Sequence, residues 1–131
     1  MRRALPRPTD TEVAILRVLW THGPSTVRQV HDALAGARDT GYTSTLKLMQ
    51  LMVEKGLLTR DVSSRTHVYA AGLPKDHTQR LLVTDLVDRA FNGSAAALVM
   101  QALSTRRITT EQLKEIRQLI TDEEESRKWP R

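Results

Sequence analysis

The chain has no cysteine among its 131 residues. Disulfides, thiolate metal sites and cysteine nucleophiles are excluded at once. Long apolar runs are missing too, since no stretch approaches the ~18 apolar residues that span a bilayer. The start, Met1-Arg2-Arg3-Ala4-Leu5-Pro6, has a basic end but no apolar run behind it. It lacks the pattern of a signal peptide, so a cytoplasmic protein is expected. The four histidines, His22, His31, His67 and His77, share no metal-ligand spacing, and no metal site is expected. Gly-x-x-x-x-Gly-Lys, Gly-x-Ser-x-Gly and Gly-x-Gly-x-x-Gly are all missing, which removes the common phosphate-loop, nucleophile-elbow and dinucleotide readings. Asp85 and Asp88 stand one helical turn apart and read as solvated surface. No enzymatic activity and no cofactor are expected.

Acidic charge is scarce in the first half. Residues 1–72 carry ten Lys/Arg against six Asp/Glu, whereas residues 73–131 carry ten against nine, for a net charge of +5 overall. A basic head and a near-neutral tail suit a polyanion-binding part joined to a partner-binding part. The length allows one domain, or a small domain with an appendage, but not two ordinary cores.

The local signals are helical at first. Thr9-Asp10-Thr11-Glu12 reads as a capping box. Val13, Leu16, Val18, Leu19 and Trp20 follow at helical spacing, and His22-Gly23-Pro24 stops the helix. Thr26-Val27-Arg28-Gln29 is a second box, opening a short helix with Val30, Ala33 and Leu34 on one face. A polar connection over 37–41 leads to a third start at Thr43. The helix from Ser44 to Lys55 ends at Gly56, a left-handed cap position. Its core face is placed on Thr45, Leu48, Met49 and Met52, leaving Ser44, Lys47, Gln50 and Leu51 opposite. Residues 57–62 and 66–70 then read as two strands around Ser63-Ser64-Arg65. Three short helices and a hairpin give the order of a winged helix-turn-helix.

After Gly72-Leu73-Pro74 the pattern becomes wholly helical. The expected organisation is a winged-helix DNA-binding domain over 1–73, a helical dimerisation domain over 74–121, and a charged, frayed tail over 122–131. Three amphipathic helices are expected, over 75–91, from Ser94 through Leu103, and from Thr109. Leu82, Leu86, Phe91, Leu98, Val99, Leu113, Ile116 and Ile120 are their candidate contact residues. The helices form an arm too thin to close a core alone, so two chains interlocking their arms about a two-fold axis is the economical arrangement.

Candidate DNA contacts follow from the chemistry of a helix end in the major groove. Short hydroxyls at Thr43 and Ser44 suit phosphates and base edges, and Lys47 can reach guanine acceptors. Leu51 on the same face suits a sugar or a thymine methyl. Arg65 at the hairpin tip suits the backbone or the minor groove. Arg60, Arg28 and Thr26 are expected at phosphates, giving affinity rather than sequence choice.

These segments together resemble the penicillinase and methicillin-resistance repressors of the BlaI/MecI type. The carrying residues are Pro8-Thr9-Asp10-Thr11-Glu12, Leu19-Trp20 and Thr26-Val27-Arg28-Gln29-Val30-His31. Tyr42-Thr43-Ser44-Thr45, Glu54-Lys55-Gly56-Leu57-Leu58, Arg65-Thr66-His67-Val68-Tyr69 and Phe91-Asn92-Gly93 continue the match, from about residue 6 to residue 121. The resemblance implies a winged-helix head, a dimerising arm, and a homodimeric repressor of resistance or stress genes on inverted-repeat operators with TACA/TGTA-type half-sites. It also implies release through a membrane sensor metalloprotease and cleavage in the arm. The family's Asn-Phe bond falls on Gln101-Ala102 here. Lys47 and Leu51 stand where relatives often carry Thr and Arg, and the cysteine cluster of copper-responsive relatives is missing. Two rivals are a small-molecule-responsive winged-helix regulator, marked by a ligand pocket between head and arm, and a protein-interaction adaptor that binds no DNA.

Overall fold

The computed structural model describes residues 7–36 and 41–129, so the expected connection over 37–41, apart from Gly41, and both chain ends lie outside the described residues. The elements run α1 (Asp10–His22), α2 (Val27–Leu34), α3 (Tyr42–Glu54), β1 (Leu58–Asp61), β2 (Val68–Ala71), α4 (Lys75–Ala90), α5 (Ala95–Thr105) and α6 (Thr110–Lys128). They fall into two compact units, Met1–Leu86 and Val87–Arg131, with the division inside α4. No helix among the described residues is long and apolar enough to cross a membrane.

Both expected capping boxes of the head form. The Thr9 hydroxyl accepts from the Glu12 N–H at 3.3 Å, and the Thr9 N–H donates to Glu12 Oε1 at 2.9 Å. Thr26 and Gln29 repeat the exchange at 3.1 and 2.9 Å. Each box satisfies backbone N–H groups that the first helical turn cannot pair internally. Gly23, at φ 80°, ends α1.

The third helix begins earlier than its sequence suggests. Gly41, not Thr43, is the N-cap, and no side chain caps this end. The Thr45 hydroxyl turns inward instead and donates to the Gly41 carbonyl at 3.3 Å. Thr43 and Ser44 are thus first-turn residues with exposed side chains. The expected face is otherwise right: Thr45, Met49 and Met52 are buried, while Leu48 is half-buried. Gly56 takes φ 83° just past the helix, where a side chain would be strained.

The strands are shorter than expected and β2 begins later. They pair antiparallel, Leu58 with Ala71 through Asp61 with Val68. Ser25 adds a bridge that the strand pattern did not reveal, exchanging N–H···O bonds of 2.9 and 2.8 Å with Tyr69. The loop between α1 and α2 is thereby stitched to the hairpin. Gly72 passes so close that a Cβ there would stand 2.6 Å from the Gly56 carbonyl, so any side chain forces the backbone to move.

The head core joins Ile15, Leu16 and Leu19 of α1, Val27 and Val30 of α2, and Met49 and Met52 of α3 to Leu57, Leu58 and Tyr69. Full burial of such side chains contributes about 1.5–3 kcal/mol each. Trp20 packs against this core only partly buried, with the Lys75 ammonium 5.9 Å from its ring centroid. Asp85, expected as free surface, is paired with Arg7 and leaves only 19% of its side chain accessible.

In Val87–Arg131 the turn after α4 uses Asn92 at φ 51° and Gly93 at φ 81°. Ser94 caps α5 through its hydroxyl, which accepts from the Ala97 N–H at 3.1 Å. Thr109 and Gln112 form a third capping box at α6. The tail expected to fray from 122 is helical through Lys128. Two i,i+4 pairs, Gln118 with Asp122 and Arg127 with Glu123, extend the helix beyond its last apolar turn, each adding a few tenths of a kcal/mol.

Candidate nucleic-acid interface

The outward ridge of α3 carries Ser44, Lys47, Gln50 and Leu51, all exposed. Their one-turn spacing aligns them on the side opposite Met49 and Met52. Leu51 keeps 42% of its surface accessible, enough apolar area to meet another molecule. Among the described residues neither Lys47, Arg60 nor Arg65 is engaged in a salt bridge. Their charge is available to a partner.

A cleft of about 300 Å³ opens beside this ridge, lined by Thr26, Arg28, Tyr42, Leu46, Gln50, Arg65 and His67 among others. Of the expected contact residues it gathers Thr26 and Arg28 from the start of α2 and Arg65 from the hairpin. Thr43, Ser44 and Lys47 lie outside its lining, as does Arg60, which is exposed opposite Tyr69 in the hairpin. Lys47 therefore belongs to the ridge and Arg28 to the cleft. Gln50 alone belongs to both.

Tyr42, Leu46 and His67 line the cleft without being among the expected contacts, and Gln50 is expected only on the outward face of α3. Tyr42 and Gln50 follow an i, i+4, i+8 line through Leu46, a ridge visible in the sequence once the helix is started at Tyr42. The guanidinium carbon of Arg28 sits 4.5 Å from the Tyr42 ring centroid. His31 meets the same ring edge-on, with centroids 5.8 Å apart.

The wing tip is ordered by its own side chains. Asp61 accepts from the Ser63 N–H at 2.9 Å, and the bonds from Ser63 hold its carboxyl below the usual range. The Ser64 hydroxyl donates to the Thr66 carbonyl at 2.9 Å. Arg65 is carried on this small turn.

One buried charge sits behind the interface. Glu12 is fully buried, and Lys55, just past the end of α3, donates to Glu12 Oε2 at 2.8 Å. Burial alone would raise this carboxyl. The Lys55 ammonium and the Thr9 N–H and hydroxyl outweigh it and hold the group below its ordinary value. The pair ties the start of α1 to the end of α3.

A helix-turn-helix closed by a two-stranded wing, with a polar ridge on its third helix and arginines beside it, defines a winged-helix DNA-binding head. Residues 8–122 match the family described as penicillinase repressor. The transcriptional regulator BlaI of Mycobacterium tuberculosis is 36% identical over 98 residues, covering 72% of this chain and 71% of that protein. The penicillinase repressor of Bacillus licheniformis is 21% identical over 127 residues, covering 96% and 98%. The chain is also similar to the solution structure of the Bacillus licheniformis BlaI monomeric form in complex with the blaP half-operator. That similarity has a TM-score of 0.49 and 19% identity, over 56% of this chain and 89% of that one. The chain belongs to the penicillinase repressor family, whose members are transcriptional repressors and not enzymes.

Proposed function

We propose that this repressor acts as a cytoplasmic homodimer gripping inverted-repeat operator DNA of resistance-type genes, with its head over 1–73 and its dimerisation region over 74–121. One observation carries the DNA reading: the exposed α3 ridge stands beside a cleft that gathers Thr26, Arg28 and Arg65. A helix presented this way fits the major groove, where Lys47 meets guanine acceptors and Leu51 a thymine methyl. The hydroxyls of Thr43 and Ser44 and the uncapped N–H groups at the start of α3 favour phosphate oxygens. Arg28, Arg60 and Arg65 neutralise backbone charge.

Dimerisation rests on the arm's own surface. Leu98 and Val99 of α5 and Ile116, Leu119 and Ile120 of α6 line an apolar trough of about 460 Å³. Leu86, Val99, Leu113 and Ile120 are exposed, while Leu82, Phe91, Leu98 and Ile116 remain partly so. A second arm is the occupant that removes this surface from water. Release by a membrane sensor protease would act on the same arm. The Gln101–Ala102 bond lies within α5, and the Gln101 carbonyl accepts from the Ser104 and Thr105 hydroxyls at 3.1 and 2.7 Å. Cleavage there requires the helix to unwind and lacks a large side chain after the cut, so it is expected to be slow. Probing cells under a cell-wall antibiotic for intact chain and fragments checks this. Rapid, stoichiometric cutting at this bond contradicts it.

Selection of bound duplexes from random DNA tests the main reading. An enriched inverted repeat, with half-sites about one helical turn or a multiple apart and one dimer bound, is expected. Enrichment of a single half-site by a monomer overturns the homodimer. No enrichment and no salt-dependent binding overturn the DNA function.

A further inference from the structure

We propose that Tyr42 is a positioning residue that holds Arg28 ready for a DNA phosphate, an inference that rests on the DNA-binding reading above. Arg28 is exposed on the first turn of α2. A free arginine there must give up several rotatable bonds before its N–H fork can hold an oxygen. In this head the order is built in, because the guanidinium lies 4.5 Å from the Tyr42 ring centroid. A guanidinium stacked on a ring covers one flat face and leaves its donor edge open.

Tyr42 is itself anchored. The His31 ring meets it at 81°, and His31 Nδ1 lies 3.4 Å from the Thr45 hydroxyl, which is buried and bound to the Gly41 carbonyl. The chain of contacts therefore begins in the backbone at the start of α3 and ends on a cation of α2. Tyr42 also keeps 37% of its surface accessible, which the head core does not require. The ring and Arg28 line the cleft that Arg65 enters from the wing. Pre-ordering of this kind raises affinity by removing the cost of ordering on binding.

The test compares Tyr42→Leu, Tyr42→Phe, Arg28→Ala and the Arg28→Ala/Tyr42→Leu double variant on selected and scrambled duplexes across a salt series. Melting of each variant confirms that the head is folded at the temperature used. Tyr42→Leu is expected to weaken both duplexes alike, by about two- to fivefold, the worth of an exposed cation–ring contact. Tyr42→Phe keeps the ring and should bind as the unaltered chain does. Arg28→Ala should lower the salt slope by about one unit, and adding Tyr42→Leu to it should cost nothing more. Equal losses for Phe and Leu would mean that the hydroxyl touches DNA, and the positioning role falls. An undiminished Tyr42→Leu loss in the Arg28→Ala background, or one confined to the selected duplex, overturns it too. Failure of the unaltered chain to bind any duplex defeats the DNA reading itself, a result separate from additive losses among variants that bind.

Discussion

In Met1–Leu86, ten apolar side chains from three helices and the hairpin close into one buried core. In Val87–Arg131, Val87 is the single buried apolar residue among the described ones. Met100 and Leu119 of that second unit keep 64% and 67% of their surface accessible. Both units are helical and both contain side-chain-capped helices, so propensity does not separate them. The difference lies in what each helix has to lie against. Three helices packed together with a hairpin can exclude water from their apolar faces, whereas α5 and α6 leave a trough between them. An uncovered apolar patch of this kind marks an interaction surface.

Core substitutions probe this contrast most strongly. Met49→Ala is expected to cost about 2–5 kcal/mol, because a cavity opens where neighbours from three elements meet. Leu119→Ala should leave the unfolding of dilute chain within about 0.5 kcal/mol, since the side chain is mostly solvated there. Its effect should appear instead as weaker self-association. Urea unfolding and sedimentation at several protein concentrations read both quantities. Equal destabilisation of dilute chain by the two variants would show that the second unit closes a core by itself.

Removing residues 87–131 sharpens the division of labour. The shortened chain should sediment as a monomer and lose operator affinity by roughly a hundredfold, the effective-concentration gain of linking two heads. Its binding to a single half-site should be little changed. A 131-residue chain that is monomeric at micromolar concentration would falsify the dimerising arm.

Within the head, ridge and cleft should separate as well. Lys47→Ala is expected to cost about 1–3 kcal/mol on the selected site and to flatten discrimination among variants. Arg65→Ala should weaken selected and scrambled DNA alike and lower the salt slope by about one unit. Equal Lys47→Ala losses on both duplexes would assign that lysine to phosphate.

The smallest expected effect tests the ion pair behind α3. The Glu12 carboxyl is held below its ordinary value of 4.5 in the folded head, so the unfolded chain takes up its proton first as pH falls. The stability that Glu12 contributes is present above about pH 4.5 and is lost as pH drops through the lower folded value. Glu12→Gln should therefore be less stable at neutral pH and show a flatter decline toward pH 3, followed by urea midpoints. A parallel decline in both proteins would show that Glu12 does not carry this dependence.

The sequence by itself determined the order of elements in the head and the cap of each helix whose cap is a side chain. Thr9, Thr26 and Thr109 each stand three residues before a Glu or Gln, and that chemistry completes itself within one helical turn. It also placed the buried and outward faces of α3, because a 3.6-residue period admits one phase that groups Ser44, Lys47, Gln50 and Leu51. Only the tertiary structure decided the rest. The Ser25–Tyr69 bridge, the Glu12–Lys55 pair and the Arg28–Tyr42 stack join residues 44, 43 and 14 positions apart. No local period encodes such meetings; they exist because the core brings α1, α2, α3 and the hairpin together. The start of α3 at Tyr42 belongs with them, since the Thr45 hydroxyl is turned inward by burial and leaves Gly41 to begin the helix.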